Sequence, residues 1–252
     1  EIETVENVLS VLQNELETLD PANSQLIKVG SDPSPGSEKV DHEFPMLSLG
    51  KATSEQELSH FVHETTSGGL RFISQPKLDG SALSIEYRLG RLVRAATRGN
   101  GLRGEDVTLN ARQIMNIPES LNVEIDVHVR GEVVMPLAVF NEKYQHISPN
   151  PRNLAAGALR QKHREQGKAK ASDLVFFAYD VQFPSLEIRH PDGLNPPRID
   201  SDSELIEWLT NAGITPAECN EIKGEDTQTV AELLCTETTL WKEKRDEYQN
   251  SM

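Results

Sequence analysis

The sequence predicts an α+β fold built on mainly antiparallel strands. Three strand-like runs, RFISQP, SALSIEY and RLVRAAT, crowd into residues 71–97. The second and third meet at Leu89-Gly90, which reads as a hairpin between antiparallel neighbours. Helical stretches lie before and after this cluster, and no strand–helix–strand unit follows the hairpin, so a parallel sheet is not expected.

Each element has its own signal. Ile2, Val5, Val8, Leu9, Leu12, Leu16 and Leu19 recur at helical spacing and predict an amphipathic helix over 2–19. Residues 29–44, rich in Gly, Pro, Ser and Asp, read as a loop. Ser54 with Glu57 forms a capping box for a helix through about His63. Residues 106–115 read as a short helix. VHVRGEVVM (127–135) is a strand with alternating faces, and Pro136 suits the first turn of the helix after it. RNLAAGALRQ (152–161) is Ala-rich and helical, and LVFFAYDV (174–181) is a buried strand. Beyond about 202, helical stretches alternate with a short strand at 214–222. Trp208 and Trp241 fall in helical patterns and are assigned to packing. His146, His163 and His190 show no paired metal-ligand spacing and are assigned to the surface.

Composition narrows the class. The 252 residues allow one large domain or two small ones, and 37 % hydrophobic content supports a real core. No run approaches the ~18 consecutive apolar residues of a membrane helix, and no basic-then-apolar leader is visible. Two cysteines, Cys219 and Cys235, are too few for a disulfide scaffold or a four-cysteine zinc site. A start on Glu1 suggests a piece of a longer chain. The net charge of −15 argues against a general nucleic-acid coat. Its distribution is uneven. Arg88, Arg91, Arg94, Arg98, Arg103 and Arg112 form one basic stretch, and Arg152, Arg160, Lys162, Arg164, Lys168 and Lys170 another, between acidic ends. This pattern fits a polyanion-binding surface on an acidic body, or solvated surface charge.

The chemistry centres on Lys77-Leu78-Asp79-Gly80. A lone lysine at a strand edge is usually solvated. Here Asp79 can hold a cation or position the amine, and Gly80 lets a substrate approach the backbone. A lysine is a nucleophile only when neutral, and burial or nearby cations favour that form. The motif is followed by Thr97-Arg98-Gly99-Asn100-Gly101, then Arg130-Gly131-Glu132, then Asn150-Pro151-Arg152-Asn153 running through Gly157 to Arg160-Gln161, and last Phe176-Phe177-Ala178-Tyr179. Arg152 and Arg160 flank an Ala-Gly core that leaves room for close packing of backbone or ligand.

Together with Met46-Leu47-Ser48-Leu49, these segments resemble the nucleotidyltransferase (adenylation) domain of bacterial-type NAD-dependent DNA ligases, in family order and at family-like spacing, from about Glu1 to about Trp208. The resemblance implies a nucleotidyltransferase (ATP-grasp-like) fold. It implies that 1–28 are the last helix of the family's N-terminal region with a linker, and that 29–252 are an adenylation domain lacking its C-terminal strands. It also implies a ping-pong reaction. Lys77 attacks the α-phosphate of NAD to form lysyl-AMP, AMP passes to the 5′-phosphate of nicked double-stranded DNA, and the 3′-hydroxyl seals the strand. A divalent ion, normally Mg2+, offsets phosphate charge. By the same resemblance, Arg98 and Glu132 hold the ribose and adenylate, and Ser48 and Leu49 line the pocket. Gln75 faces the adenine edge, and Tyr179 packs near the base. Asp79 supports the lysine and the metal environment, with no side chain assigned as a direct metal ligand. Arg152 and Arg160 engage the nick's phosphates. A cytoplasmic monomer without membrane attachment, acting in DNA replication and repair, is expected, with both cysteines as free thiols.

The sequence departs from the family at several points. Gln75 stands where the family usually has Glu, Asn100 where it has Asp, and Gly50-Lys51 where it commonly has Asp-Asn. The downstream acid-Gly-hydrophobic-hydrophobic-x-Lys motif, a later lysine motif and most of the N-terminal region are not found in these residues. The isolated chain is therefore expected not to ligate and to self-adenylylate weakly or not at all. Three alternatives stand beside this reading. One is a dehydrogenase built on Gly99-x-Gly101-x-x-Gly104 with Glu124 as its acid. Another is a catalytically degenerate relative that binds nucleotide or nicked DNA. The third is an ATP-dependent nucleotidyltransferase.

Overall fold

The computed structural model describes residues 38–47, 50–65, 71–162, 168–184 and 196–250, with side chains to 241. The expected helix at 2–19 lies outside them, as do His163 and His190. In chain order the elements begin β1 (Lys39–Asp41), α1 (Glu55–Thr65), β2 (Arg71–Ser74), β3 (Ser81–Arg88), β4 (Arg91–Thr97) and β5 (Arg103–Glu105). There follow α2 (Thr108–Ala111), β6 (Val127–Val134), α3 (Leu137–Val139) and α4 (Pro151–Leu159). The chain continues with β7 (Val175–Gln182), α5 (Asp202–Ala212), β8 (Asn220–Lys223) and α6 (Thr227–Asn250). The described residues fall into two units. Residues 38–47 with Arg98–Asp106 form the first, and the rest form the second.

In the first unit, β1 pairs antiparallel with β5, Val40 opposite Gly104. Neither strand was expected; β1 sits inside the segment that reads as a loop, because three residues are too short to show periodicity. Gly99 and Gly101 adopt positive φ. A Cβ on Gly99 would stand 1.9 Å from the Arg103 carbonyl oxygen, so only glycine fits.

The second unit is built on a four-stranded antiparallel sheet of order β4-β3-β6-β7. The expected hairpin is present, with Leu89 (φ 47) and Gly90 (φ 71) both left-handed, as a tight turn between twisted strands requires. One face of the sheet carries Leu83, Ile85, Tyr87, Val127, Val129, Val133 and Phe176 into the main core, beneath helices that include α4 and α5. The opposite face carries ion pairs at one end and a small apolar cluster at the other: Glu86 binds both Arg88 (2.8 Å) and Arg94 (2.7 Å), Arg130 pairs with Asp180 at 3.3 Å, and Val134 packs with Phe177. A second sheet, β2 with β8, packs on Val62 of α1 and Val230 of α6. Trp208 meets Phe183 edge-on at 5.5 Å, and Trp241 donates its indole N–H to Ser74 at 2.7 Å.

The structure corrects several boundaries. Strand β6 keeps the expected alternation over 129–133, where Arg130 and Glu132 are half-buried, and loses it at its start, where Val127, His128 and Val129 are all buried. The helix read at 106–115 is one turn, Thr108–Ala111. Pro136 is the residue before α3, not part of its first turn. Ser54 does accept from the Glu57 N–H (3.2 Å), while Glu57 reaches back one residue further, to the Thr53 N–H (2.6 Å). Antiparallel pairing throughout the four-stranded sheet, and a turn of four residues after Gly104, exclude the dinucleotide βαβ unit.

Core burial carries a pH signature. The Tyr87 hydroxyl donates to the Pro118 carbonyl at 2.9 Å, and desolvation raises its pKa well above the ordinary value of 10.0. The unfolded chain loses this proton near pH 10 while the native hydroxyl keeps it. Stability from Tyr87 is thus full below pH 10 and falls above it, by up to about 1.4 kcal/mol per pH unit. Urea titrations from pH 8 to 11 should show this alkaline loss, and Tyr87→Phe should flatten it.

Candidate active site

The lysine motif occupies the connection from β2 to β3. Lys77 and Asp79 are exposed, while Leu78 between them packs with Val134, Val175, Phe177 and Ala217. That alternation anchors the backbone through Leu78 and presents the amine and carboxylate to solvent. Gly80 is buried against β6, where a Cβ would stand 2.1 Å from the Val133 carbonyl oxygen. The expected reason for this glycine is therefore corrected: the chain's own central strand, rather than a substrate, makes the close approach.

Asp79 pairs with Arg152, Oδ1 to Nη1 at 3.4 Å, both more than half exposed. Such a pair contributes about 0–1 kcal/mol; it sets Asp79 beside the N-terminal turn of α4. Arg152 lies in the first turn of α4. Asn150 caps this helix, its side-chain oxygen accepting from the N–H groups of Arg152 (2.8 Å) and Asn153 (3.3 Å), and Pro151 fills the first turn. The Asn-Pro-Arg-Asn segment is thus a helix start that places Arg152. At the other end, Asn110 donates to the carbonyls of Leu159 and Gln161, both at 2.8 Å, and exposed Arg160 follows. Ala155 and Ala158 pack into the core, whereas Gly157 faces open space.

Glu132 lies on the face of β6 that carries Arg130, half-buried, opposite Ala82 of β3 and Phe177 of β7. Gly131 is dictated by packing: a Cβ there would meet the Phe177 carbonyl oxygen at 2.3 Å and the Phe176 ring at 2.5 Å. Between Arg130 opposite Asp180 and Gly131 opposite Ala178, the register slips. Tyr179 is the extra residue of this bulge and is 41 % exposed. On its outer edge Ala178 receives another segment. Its N–H donates to the Thr215 carbonyl (2.9 Å), and its carbonyl accepts from the Ala217 N–H (3.2 Å). Ala217 in turn accepts from the Gln75 amide at 3.4 Å. Tyr179 and Gln75 are thereby linked through two residues, and no sequence signal marks Ala217 for that place. The Arg130–Asp180 pair beside Glu132 was also unforeseen, although Arg130 directly precedes the Gly131-Glu132 pair.

Arg98 belongs to the first unit, where its carbonyl lies 3.2 Å from His42 Nε2. There Asn100 accepts from the N–H groups of Leu102 (3.1 Å) and Arg103 (2.9 Å) through its side-chain oxygen. An amide oxygen serves this turn as a carboxylate would, so the Asn100 departure keeps the loop. Ser48 and Leu49 lie outside the described residues. Among the described residues, no group of three or more His, Cys, Asp or Glu side chains is placed to hold a metal. Asp79, already paired with Arg152, and Glu132 do not make a protein cage for a divalent ion. Both cysteines are free thiols, and burial raises the pKa of each.

The family model for the NAD-dependent DNA ligase adenylation domain matches residues 36–252. This chain belongs to that family. Curated relatives agree. A DNA ligase of Nitrobacter hamburgensis is 37 % identical over 223 residues, covering 81 % of this chain and 29 % of the relative. One of Halalkalibacterium halodurans is 39 % identical over 202 residues, covering 73 % and 30 %. One of Metamycoplasma arthritidis is 43 % identical over 172 residues, covering 65 % and 26 %. The adenylation domain thus spans less than a third of the length of these relatives. A solved Naegleria gruberi RNA ligase aligns over 80 % of this chain and 50 % of its own, at 14 % identity and TM-score 0.35, too distant to bear on the site. No helix among the described residues is long and apolar enough to cross a membrane.

Proposed function

We propose that this domain carries out the adenylyl-transfer steps of an NAD-dependent DNA ligase, with Lys77 as nucleophile. The observation that carries the proposal is the placement of the Lys77-x-Asp79-Gly80 motif in a chain of this family. Leu78, between them, and Gly80, after them, pin the backbone that carries an exposed amine and carboxylate. In the proposed reaction the neutral Lys77 Nζ forms a P–N bond to the α-phosphorus of NAD, and the bond to nicotinamide mononucleotide breaks. The amine's proton leaves to solvent. Glu132 accepts from the ribose hydroxyls, Tyr179 offers its ring to the base, and Gln75 meets the base edge. Arg152 and Arg160 then bind the 5′-phosphate of nicked DNA, whose oxygen bonds to the adenylyl phosphorus as the Lys77 P–N bond breaks; the 3′-hydroxyl then attacks the 5′-phosphate, closing the strand and releasing AMP. A divalent ion held mainly by the phosphates would offset their charge.

Intact-mass measurement after incubation with excess NAD and magnesium ion tests the reading. At most a weak, substoichiometric adduct is expected from this chain alone, and a full one once a relative's downstream lysine motifs are joined to it; the adduct maps to Lys77 and is lost in mild acid, as a P–N bond is. Labelling by ATP but not NAD would make the domain an ATP-dependent nucleotidyltransferase. NAD binding with no adduct even in the extended chain would make it a binding-only relative.

A further inference from the structure

We infer, on the reading of Arg152 given above, that the Tyr144 hydroxyl, bonded to Asp173, sets Arg152 in place for the 5′-phosphate of a nick, which makes Tyr144 a positioning residue for the second transfer step. An arginine reads a phosphate by direction as well as by charge, because its donors form a flat fork. Its head is easily redirected: Asp79 meets it at 3.4 Å, where both are exposed and a phosphate can displace the contact. The place of its backbone is set instead by whatever holds the start of α4.

Tyr144 closes a single π turn, Phe140–Tyr144, in which the Gln145 N–H reaches back five residues to the Phe140 carbonyl at 2.9 Å. The Tyr144 ring is buried in the main core. Its hydroxyl donates to one oxygen of Asp173, whose other oxygen accepts from Lys143 at 2.9 Å. Asp173 ends a 3₁₀ turn, Ala171–Asp173, and is itself held, because Ala171 and Leu174 are both buried in that core. From Tyr144 the chain reaches Arg152 with little freedom. The Tyr144 carbonyl accepts from the N–H groups of Ile147 (3.0 Å) and Ser148 (3.2 Å), and the Ser148 hydroxyl donates to the Asn150 carbonyl at 3.1 Å. Pro149 and Pro151 fix their own φ and keep Ser148 and Asn150 out of the helical region; Asn150 sits at φ −139, ψ 116. Ser148-Pro149-Asn150-Pro151 is thus a stiff strut from Tyr144 to the capped turn that carries Arg152. Burial of the ring holds the strut's foot to the core without choosing a position along it, since apolar packing is non-directional. The hydroxyl bond is directional and chooses one.

Anisotropy titrations of the full chain with nicked duplexes that carry a 5′-phosphate or a 5′-hydroxyl test the inference, because the ratio of the two affinities isolates the phosphate contact. The unaltered chain is expected to prefer the phosphate about tenfold. Tyr144→Phe, which keeps the ring in the core, should cut the preference to within about threefold and leave the 5′-hydroxyl nick bound as before. Asp173→Asn still accepts from the tyrosine and should keep most of the preference, whereas Asp173→Ala should behave as Tyr144→Phe does. In an Arg152→Ala background, Tyr144→Phe should lower the ratio no further. An undiminished preference in Tyr144→Phe, an equal loss with and without Arg152, or a matching fall in 5′-hydroxyl binding would overturn the positioning role. Equal binding of the two nicks by the unaltered chain, or binding of neither, would overturn the phosphate reading of Arg152 together with the positioning, a different result.

Discussion

Lys77→Arg should abolish the adenylyl adduct while leaving the fold untouched. Arginine keeps the positive charge and nearly the reach of lysine, but its guanidinium stays protonated at any working pH and offers no lone pair to phosphorus. A site that needs only a cation would tolerate the change. A site that needs an amine would fall to background. Because Lys77 is exposed, neither Lys77→Arg nor Lys77→Ala should shift stability by more than about 0.5 kcal/mol. Mass spectrometry beside urea unfolding checks both halves. Adduct in the arginine variant, or a large loss of stability, would remove Lys77 from the nucleophile's place.

Gly80→Ala should have the opposite profile, a large loss of stability with the lysine still present. The new Cβ would meet the Val133 carbonyl carbon at 2.8 Å as well as its oxygen at 2.1 Å. Val133 lies on β6, which is hydrogen-bonded on both sides, to β3 and to β7, so it cannot step back without breaking ladders. A cost of about 3 kcal/mol is expected. Gly157→Ala is the matched control. It lies within α4, meets nothing within 4 Å, and should stabilise the helix by about 0.5–1 kcal/mol. Urea midpoints of the two variants should move in opposite directions.

These two glycines show how far the residues alone could be read. The motifs named the family and the site, because Lys77-x-Asp79-Gly80, Arg130-Gly131-Glu132 and the Asn150 to Gln161 segment are locally dense signals. Their roles were only partly legible. Gly80 looked like an opening for a ligand, yet it is required by a neighbouring strand, as Gly131 is. Nothing near Gly80 in sequence reports that Val133 will lie against it. The helix at 152–161 was readable from its Ala-rich run, whereas its cap at Asn150 came only from the structure. The hairpin at Leu89-Gly90 was readable because a turn is local chemistry. The pairing of β2 with β8 was not, since a strand of four residues carries no address for its partner. Burial of His128 between Val127 and Val129 was hidden too, because alternation within one strand does not report that Glu86 and Gln182 will flank it from β3 and β7.

The extra residue at Tyr179 is one the β7 ladder does not need. Before it, even-numbered side chains, Phe176 and Ala178, enter the main core; after it, odd-numbered ones do, Val181 and Phe183. Deletion of Tyr179 would leave Gly131 opposite Ala178 and Arg130 opposite Asp180, with Asp180 and Val181 on the faces they already occupy. The strand thus carries a residue that its register could do without, held for the exposed ring it presents.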